Sequence, residues 1–90
     1  MSVAEATVEV KNKLGLHLRA ASTLFQGIGK FKSSITLARG KERVNAKSVT
    51  ALMMLGAGRG TKLKARAEGD DAPEALAALQ QLFEDRFGEE

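Results

Sequence analysis

The chain of 90 residues contains a single histidine, His17, set between Gly15-Leu16 and a segment whose apolar residues recur at helical spacing. A lone histidine is usually structural or simply exposed, so its surroundings decide whether it does chemistry. The first turn of a helix leaves backbone N–H groups unpaired and carries a partial positive charge. Such a place holds a phosphate well, and here the donors would be the backbone amides of Leu18 and Arg19. The Arg19 guanidinium adds a planar fork suited to phosphate oxygens. The same field disfavours a charged ring, typically by about 0.3–1 kcal/mol. A neutral imidazole keeps one nitrogen lone pair free as a nucleophile. One arrangement would thus free the nucleophile and hold the dianionic product. No acid or base from this chain is required, because partner proteins can bring the rest.

The elements that must hold this site follow from periodicity. Residues 4–11 alternate, with Ala4, Ala6, Val8 and Val10 on one face and Glu5, Thr7, Glu9 and Lys11 on the other, as in a half-buried strand. Asn12-Lys13-Leu14-Gly15 breaks it. Leu18, Ala21, Leu24, Phe25 and Ile28 then recur at intervals of three and four, which predicts a helix over about 18–29. Gly27 and Gly29 weaken its last turn. Residues 33–39 and 42–46 read as a hairpin around Gly40-Lys41. A short helix over 49–55 follows, with Ser48 a natural N-cap. After the glycine-rich loop 56–60, residues 61–68 alternate again, with Leu63, Ala65 and Ala67 inward. Asp71 is available to cap the last helix, and Pro73 stands in its first turn, where a missing N–H does no harm. That helix carries the stripe Ala72, Ala75, Leu76, Leu79, Leu82 and Phe83, extended by Phe87. The order β-α-β-β-α-β-α, with one apolar face per strand, predicts an α+β open-faced sandwich. Its four-stranded antiparallel sheet would carry three helices on one face.

Composition narrows the function classes. Residues 1–90 are expected to form one domain. There is no cysteine, which excludes disulfides and cysteine-bound zinc. With no secretion signal in Met1–Glu5, a cytoplasmic protein is expected. No stretch approaches the roughly 18 apolar residues of a membrane span, so no membrane insertion is expected. Neither a metal nor a cofactor is called for. The net charge of +3 suits acidic protein partners, nucleic acid or a merely solvated surface. Gly56–Gly60 lies between a helix and a strand, the reverse of a dinucleotide loop, and no P-loop lysine follows it.

Gly15-Leu16-His17-Leu18-Arg19-Ala20-Ala21 resembles the active-site signature of HPr, the histidine-containing phosphocarrier of the bacterial phosphoenolpyruvate:sugar phosphotransferase system. In that family the signature reads Gly-Leu/Ile-His-x-Arg-Pro-Ala. Asn45-Ala46-Lys47-Ser48 resembles the family's regulatory serine motif, at the family's own distance from His17. Phe31-Lys32-Ser33 and Ala67-Glu68-Gly69-Asp70 also match, and the similarity covers roughly residues 4–85. The resemblance implies the fold derived above. It further implies that His17 accepts phosphate on Nδ1 from enzyme I and passes it to IIA components, with Arg19 steadying the group. The protein would then be a consumed and regenerated carrier rather than an enzyme. Ser48 would be a target of an HPr kinase/phosphorylase, where such an enzyme exists; its other reading is a plain helix cap. Leu18, Gln26, Val49, Thr50 and Met53 would face partners, with Leu52 and Met54 in the core. Two positions depart from the pattern. Ala20 stands where the family has proline, which loosens the first turn and adds one N–H donor. Leu18 makes the docking face more apolar than usual.

Two other functions share these features. An HPr paralogue in a regulatory, nitrogen-type phosphorelay uses the same histidine chemistry and differs in its partner. A small RNA-binding domain has a similar element order and basic charge, but stacks bases on aromatics of its central strands. The aromatic residues here are Phe25, Phe31, Phe83 and Phe87, none within a candidate strand, so no nucleic-acid partner is expected.

Overall fold

The computed structural model describes residues 2–89. The elements run β1 (Ser2–Glu9), α1 (Leu18–Ile28), β2 (Ser34–Arg39), β3 (Glu42–Asn45), α2 (Val49–Met54), β4 (Lys62–Gly69) and α3 (Ala72–Glu84), closed by a 3-10 turn, Arg86–Gly88. The strands form one antiparallel sheet in the order β1-β4-β2-β3. This is the α+β open-faced sandwich that the alternation of the strands predicts. On the covered face, Val8 lies opposite Leu63, and Ala65 lies between Ala6 and Leu37. These pack with Leu24 and Ile28 of α1, Leu52 of α2, and Leu79 and Phe83 of α3 in one core. On the open face, charges meet across strands: Glu5 pairs with Arg66 at 3.3 Å, and Glu9 stands opposite Lys62.

The helices sit on this sheet with rotations that spacing alone does not set. In α1 the buried residues are Ala20, Ala21, Leu24 and Ile28, whereas Leu18 and Phe25 are 59% and 42% exposed. The apolar stripe is therefore wider than the contact: α1 packs against α2 and α3, and its remaining apolar side chains face outward. Gly27 lets α1 and α3 approach there: a Cβ would lie 2.5 Å from Cδ1 of Leu82 on α3, and that side chain would have to turn aside. Leu52 is enclosed as expected, but Met54 is not in the core; it is 72% exposed. With only six residues, α2 offers a single inward face, and Leu52 fills it. Arg39 donates to the carbonyls of Leu55 and Gly56, satisfying acceptors that the end of α2 leaves open.

Phe87 does not extend α3. The helix ends at Glu84, and the chain reverses through Arg86 and Phe87, both with positive φ (56° and 55°). Phe87 returns onto the edge of Phe83, ring centroids 4.9 Å apart, and is buried. The apolar stripe foretold its burial but not the route.

Asp71 occupies the N-cap position of α3, its carbonyl accepting from the Ala75 amide, but its side chain makes no cap bond to the helix. Its carboxylate instead accepts from the backbone amides of Lys32 and Ser33, each at 2.9 Å, and from the Ser33 hydroxyl. It thereby ties the α1–β2 turn to the start of α3, and these bonds, the Ser33 hydroxyl first, hold its carboxyl below the usual carboxylate range. A carboxyl depressed in the folded state adds stability above its unfolded pKa, and that contribution is lost as the pH falls through the folded value. Asp71→Asn is expected to lower the urea midpoint at pH 7, and the gap from wild type should close below about pH 4. Parallel curves with a constant gap in acid would contradict this.

Candidate functional site

The site begins where β1 runs out. Val10 is buried; its amide donates to Thr61 O at 2.9 Å and its carbonyl accepts from Gly60 at 2.7 Å. The Leu16 amide then donates to Ala57 O at 2.9 Å. The segment leading to His17 is thus stitched to the loop after α2. Gly15 permits this: it has φ +76°, and a Cβ there would lie 2.7 Å from the Ala57 carbonyl oxygen.

So held, the chain enters α1 with His17 itself as N-cap, in extended conformation. The ring does what a serine or aspartate oxygen commonly does: Nδ1 accepts from the backbone amide of Arg19 at 3.2 Å. An acceptor at Nδ1 places the ring proton on Nε2, by inference from the bonding partners. That N–H donates to Oε1 of Glu89 at 2.7 Å. The arrangement describes a neutral ring whose Nδ1 lone pair points at the start of the helix. The imidazole is 30% exposed by side chain, and Leu18 and Arg19 beside it lie on the surface. A shallow depression here is lined by Lys13, Leu14, His17, Leu18, Arg19 and Glu89. Two others, around Arg43 and Arg66 on the open sheet face, do not include the histidine. Among the described residues no cluster of His, Cys, Asp or Glu could hold a metal, and no helix is long and apolar enough to cross a membrane.

Glu89 and Asn12 are the residues that the sequence reading did not single out. Asn12 is fully buried; its Nδ2 donates to Gly15 O at 2.6 Å and to Oε1 of Glu89 at 2.8 Å. The hydrogen bond from His17 holds the Glu89 carboxyl below the usual carboxylate range. Partial burial opposes this, while the Asn12 bond and the Arg19 charge add to it. Gly88 signals a chain break in the sequence, but nothing in a linear pattern says that the tail folds back 72 positions to His17.

The other predicted residues divide between two helix starts and an outer face. Ser48 is the N-cap of α2, its Oγ accepting from the Ala51 amide at 3.2 Å. Gln26, Thr50 and Met53 are exposed, and Val49 is half-buried. Of the six large apolar side chains exposed among the described residues, Leu14, Leu18, Phe25, Met53 and Met54 lie on the loop before His17, on α1 or on α2, and Val3 lies elsewhere. Leu14, Phe25 and Met54 are thus exposed on the same elements as the expected partner-facing residues. Ala20 is fully enclosed, so the donor gained by losing the family's proline is not presented to solvent.

Residues 4–85 match the family described as the phosphorylation site of the HPr component of the phosphotransferase system. The chain is 45% identical to the phosphocarrier protein HPr of Xylella fastidiosa over 86 residues, 96% of this chain and 97% of that one. It is 38% identical to the phosphocarrier protein NPr of Shewanella violacea, over 99% of this chain and 98% of the relative. The fold superposes on the crystal structure of HPr-C-His from Thermoanaerobacter tengcongensis with a TM-score of 0.92 at 47% identity, covering 97% and 98% of the two chains. Joined to a helix-capping histidine on an exposed apolar surface, this agreement along almost the whole sequence means that the chain belongs to the HPr family of phosphocarrier proteins.

Proposed function

We infer that His17 accepts a phosphoryl group on Nδ1 from phosphorylated enzyme I and yields it to IIA components. The observation that carries this reading is the hydrogen bond from the Arg19 amide to Nδ1. It leaves that nitrogen unprotonated and sets it against a helix N-terminus, where an incoming anion meets the amides of Leu18 and Arg19. Once Nδ1 bonds phosphorus, the Arg19 amide is released to a phosphate oxygen. The Arg19 guanidinium has no ion-pair partner among the described residues and is free to steady the same group. Leu18, Gln26, Val49, Thr50 and Met53 supply a largely uncharged docking face, and the methionine adapts to different partners.

Ser48 is a second modification site in this reading. Phosphate on its Oγ would add about −1.5 to −2 charge at the start of α2, on the helix packed beside α1. The helix itself tolerates an anion there; a partner with an acidic face would be repelled. The resemblance to an NPr protein keeps a regulatory phosphorelay as the second reading, since the same atoms serve both circuits.

Incubation with enzyme I and phosphoenolpyruvate is expected to give an acid-labile phosphate that His17→Ala abolishes; a label surviving that substitution would refute the assignment. Arg19→Ala should leave the fold intact and slow transfer by about 10- to 100-fold, the loss of one charge-assisted contact. Unchanged kinetics would remove Arg19 from the site. With ATP and an HPr kinase, acid-stable phosphoserine should appear and vanish in Ser48→Ala; its absence in the wild-type protein would return Ser48 to a plain cap.

A further inference from the structure

We propose that Glu89 is a positioning residue for the transfer: held by Asn12 and by the reversed tail, it keeps a proton on Nε2 of His17 in both the free and the phosphorylated carrier. This deepens the phosphocarrier reading and rests on it.

The tail is built for the contact. Arg86, Phe87 and Gly88 all have positive φ (56°, 55° and 76°), a run that only a firmly anchored segment sustains in non-glycine residues. The anchor is Phe87, buried against Phe83. Beyond the turn, Oε1 of Glu89 takes two donors, Nε2 of His17 at 2.7 Å and Nδ2 of Asn12 at 2.8 Å. Asn12 is fully buried, and its other donor bond, to Gly15 O, grips the loop that leads into the histidine. Carboxylate, imidazole and loop are therefore joined by one set of hydrogen bonds.

The chemistry needs that proton. In the first step the Nδ1 lone pair attacks phosphorus; the Nδ1–P bond forms and the donor's bond to phosphorus breaks, its electron pair leaving with the donor. Nε2 keeps its hydrogen, so the ring becomes a phosphoimidazolium whose positive charge the Glu89 carboxylate balances. In the second step the acceptor attacks phosphorus, the Nδ1–P bond breaks, and its pair returns to Nδ1, restoring the neutral Nε2–H ring. Were Nε2 bare, the leaving group would be an imidazolate, far more basic than imidazole. A carboxylate bonded to Nε2–H holds the ring in the form that both accepts and releases phosphate, and it prevents the other tautomer, in which Nδ1 is protonated and inert.

The test uses the whole protein and the variants Glu89→Gln and Glu89→Ala. In unphosphorylated wild type, the imidazole 15N shifts should report one neutral tautomer with hydrogen on Nε2; in Glu89→Ala they should move toward the average of two tautomers. In transfer from phosphorylated carrier to a IIA protein, both variants should lose about tenfold or more in kcat, with KM within about twofold, the pattern of a group acting through the ring rather than on docking. Unchanged 15N shifts in Glu89→Ala, or an unchanged kcat, would overturn the role. A faster variant would also overturn it, showing that the carboxylate merely occupies the place of the phosphate. The 15N measurement needs no phosphorylation, so it stands even if His17 of the wild-type protein takes up no label, the result that would instead defeat the phosphocarrier reading.

Discussion

A histidine ring gripped at both nitrogens is the constraint around which this molecule is arranged. The Arg19 amide binds one nitrogen from two positions along the chain, and the Glu89 carboxylate binds the other from 72 positions away. Neither bond is strong alone, since a net hydrogen bond in water contributes on the order of 1 kcal/mol. Their effect is orientational. An imidazole free to rotate or to exchange tautomers would present its reactive nitrogen only part of the time. Here the backbone amide meets Nδ1 and the carboxylate meets Nε2, so together they fix the direction of the ring.

The fold serves that constraint by keeping the site's supports out of the chemistry. The approach to His17 is stitched to the loop after α2 by Val10, Leu16 and the backbone closeness that Gly15 allows. The helix behind it is seated by alanines, Leu24 and Ile28. Small residues on α1, on α3 and on the covered sheet face let the layers approach closely, so a short chain encloses a continuous core. The non-glycine residues Arg86 and Phe87 each carry a cost of about 1–2 kcal/mol for left-handed backbone. Burial of the Phe87 ring, worth about 1.5–3 kcal/mol, offsets most of that cost.

The surface around the ring divides its tasks between charge and apolar contact. Within α1 and α2 the sole charged side chain is Arg19, next to the histidine, while Leu18, Phe25, Met53 and Met54 are open to solvent. A carrier must bind each partner briefly and then leave. A modest apolar patch can give contact without a fixed set of ion pairs, and in the proposed function the one cation beside His17 steadies the phosphoryl group.

The architecture was legible in the linear pattern because burial on one side of a sheet imposes a period of two, and burial on one side of a helix a period near three and a half. The placement of His17 at a helix start was legible for the same reason: the period changes at Leu18, and a cap must precede it. The helix rotations were not, since a stripe wider than its contact can turn either way; Leu18, Phe25 and Met54 went outward because α1 and α2 each have only one neighbouring layer to fill. Asp71 could be located as a cap by position, but its partners Lys32 and Ser33 come from a distant turn. Glu89 and Asn12 lay wholly beyond reach of the sequence. Local periodicity carries no information about where a tail returns, and that return depends on two left-handed residues and one aromatic contact that exist only once the chain is folded.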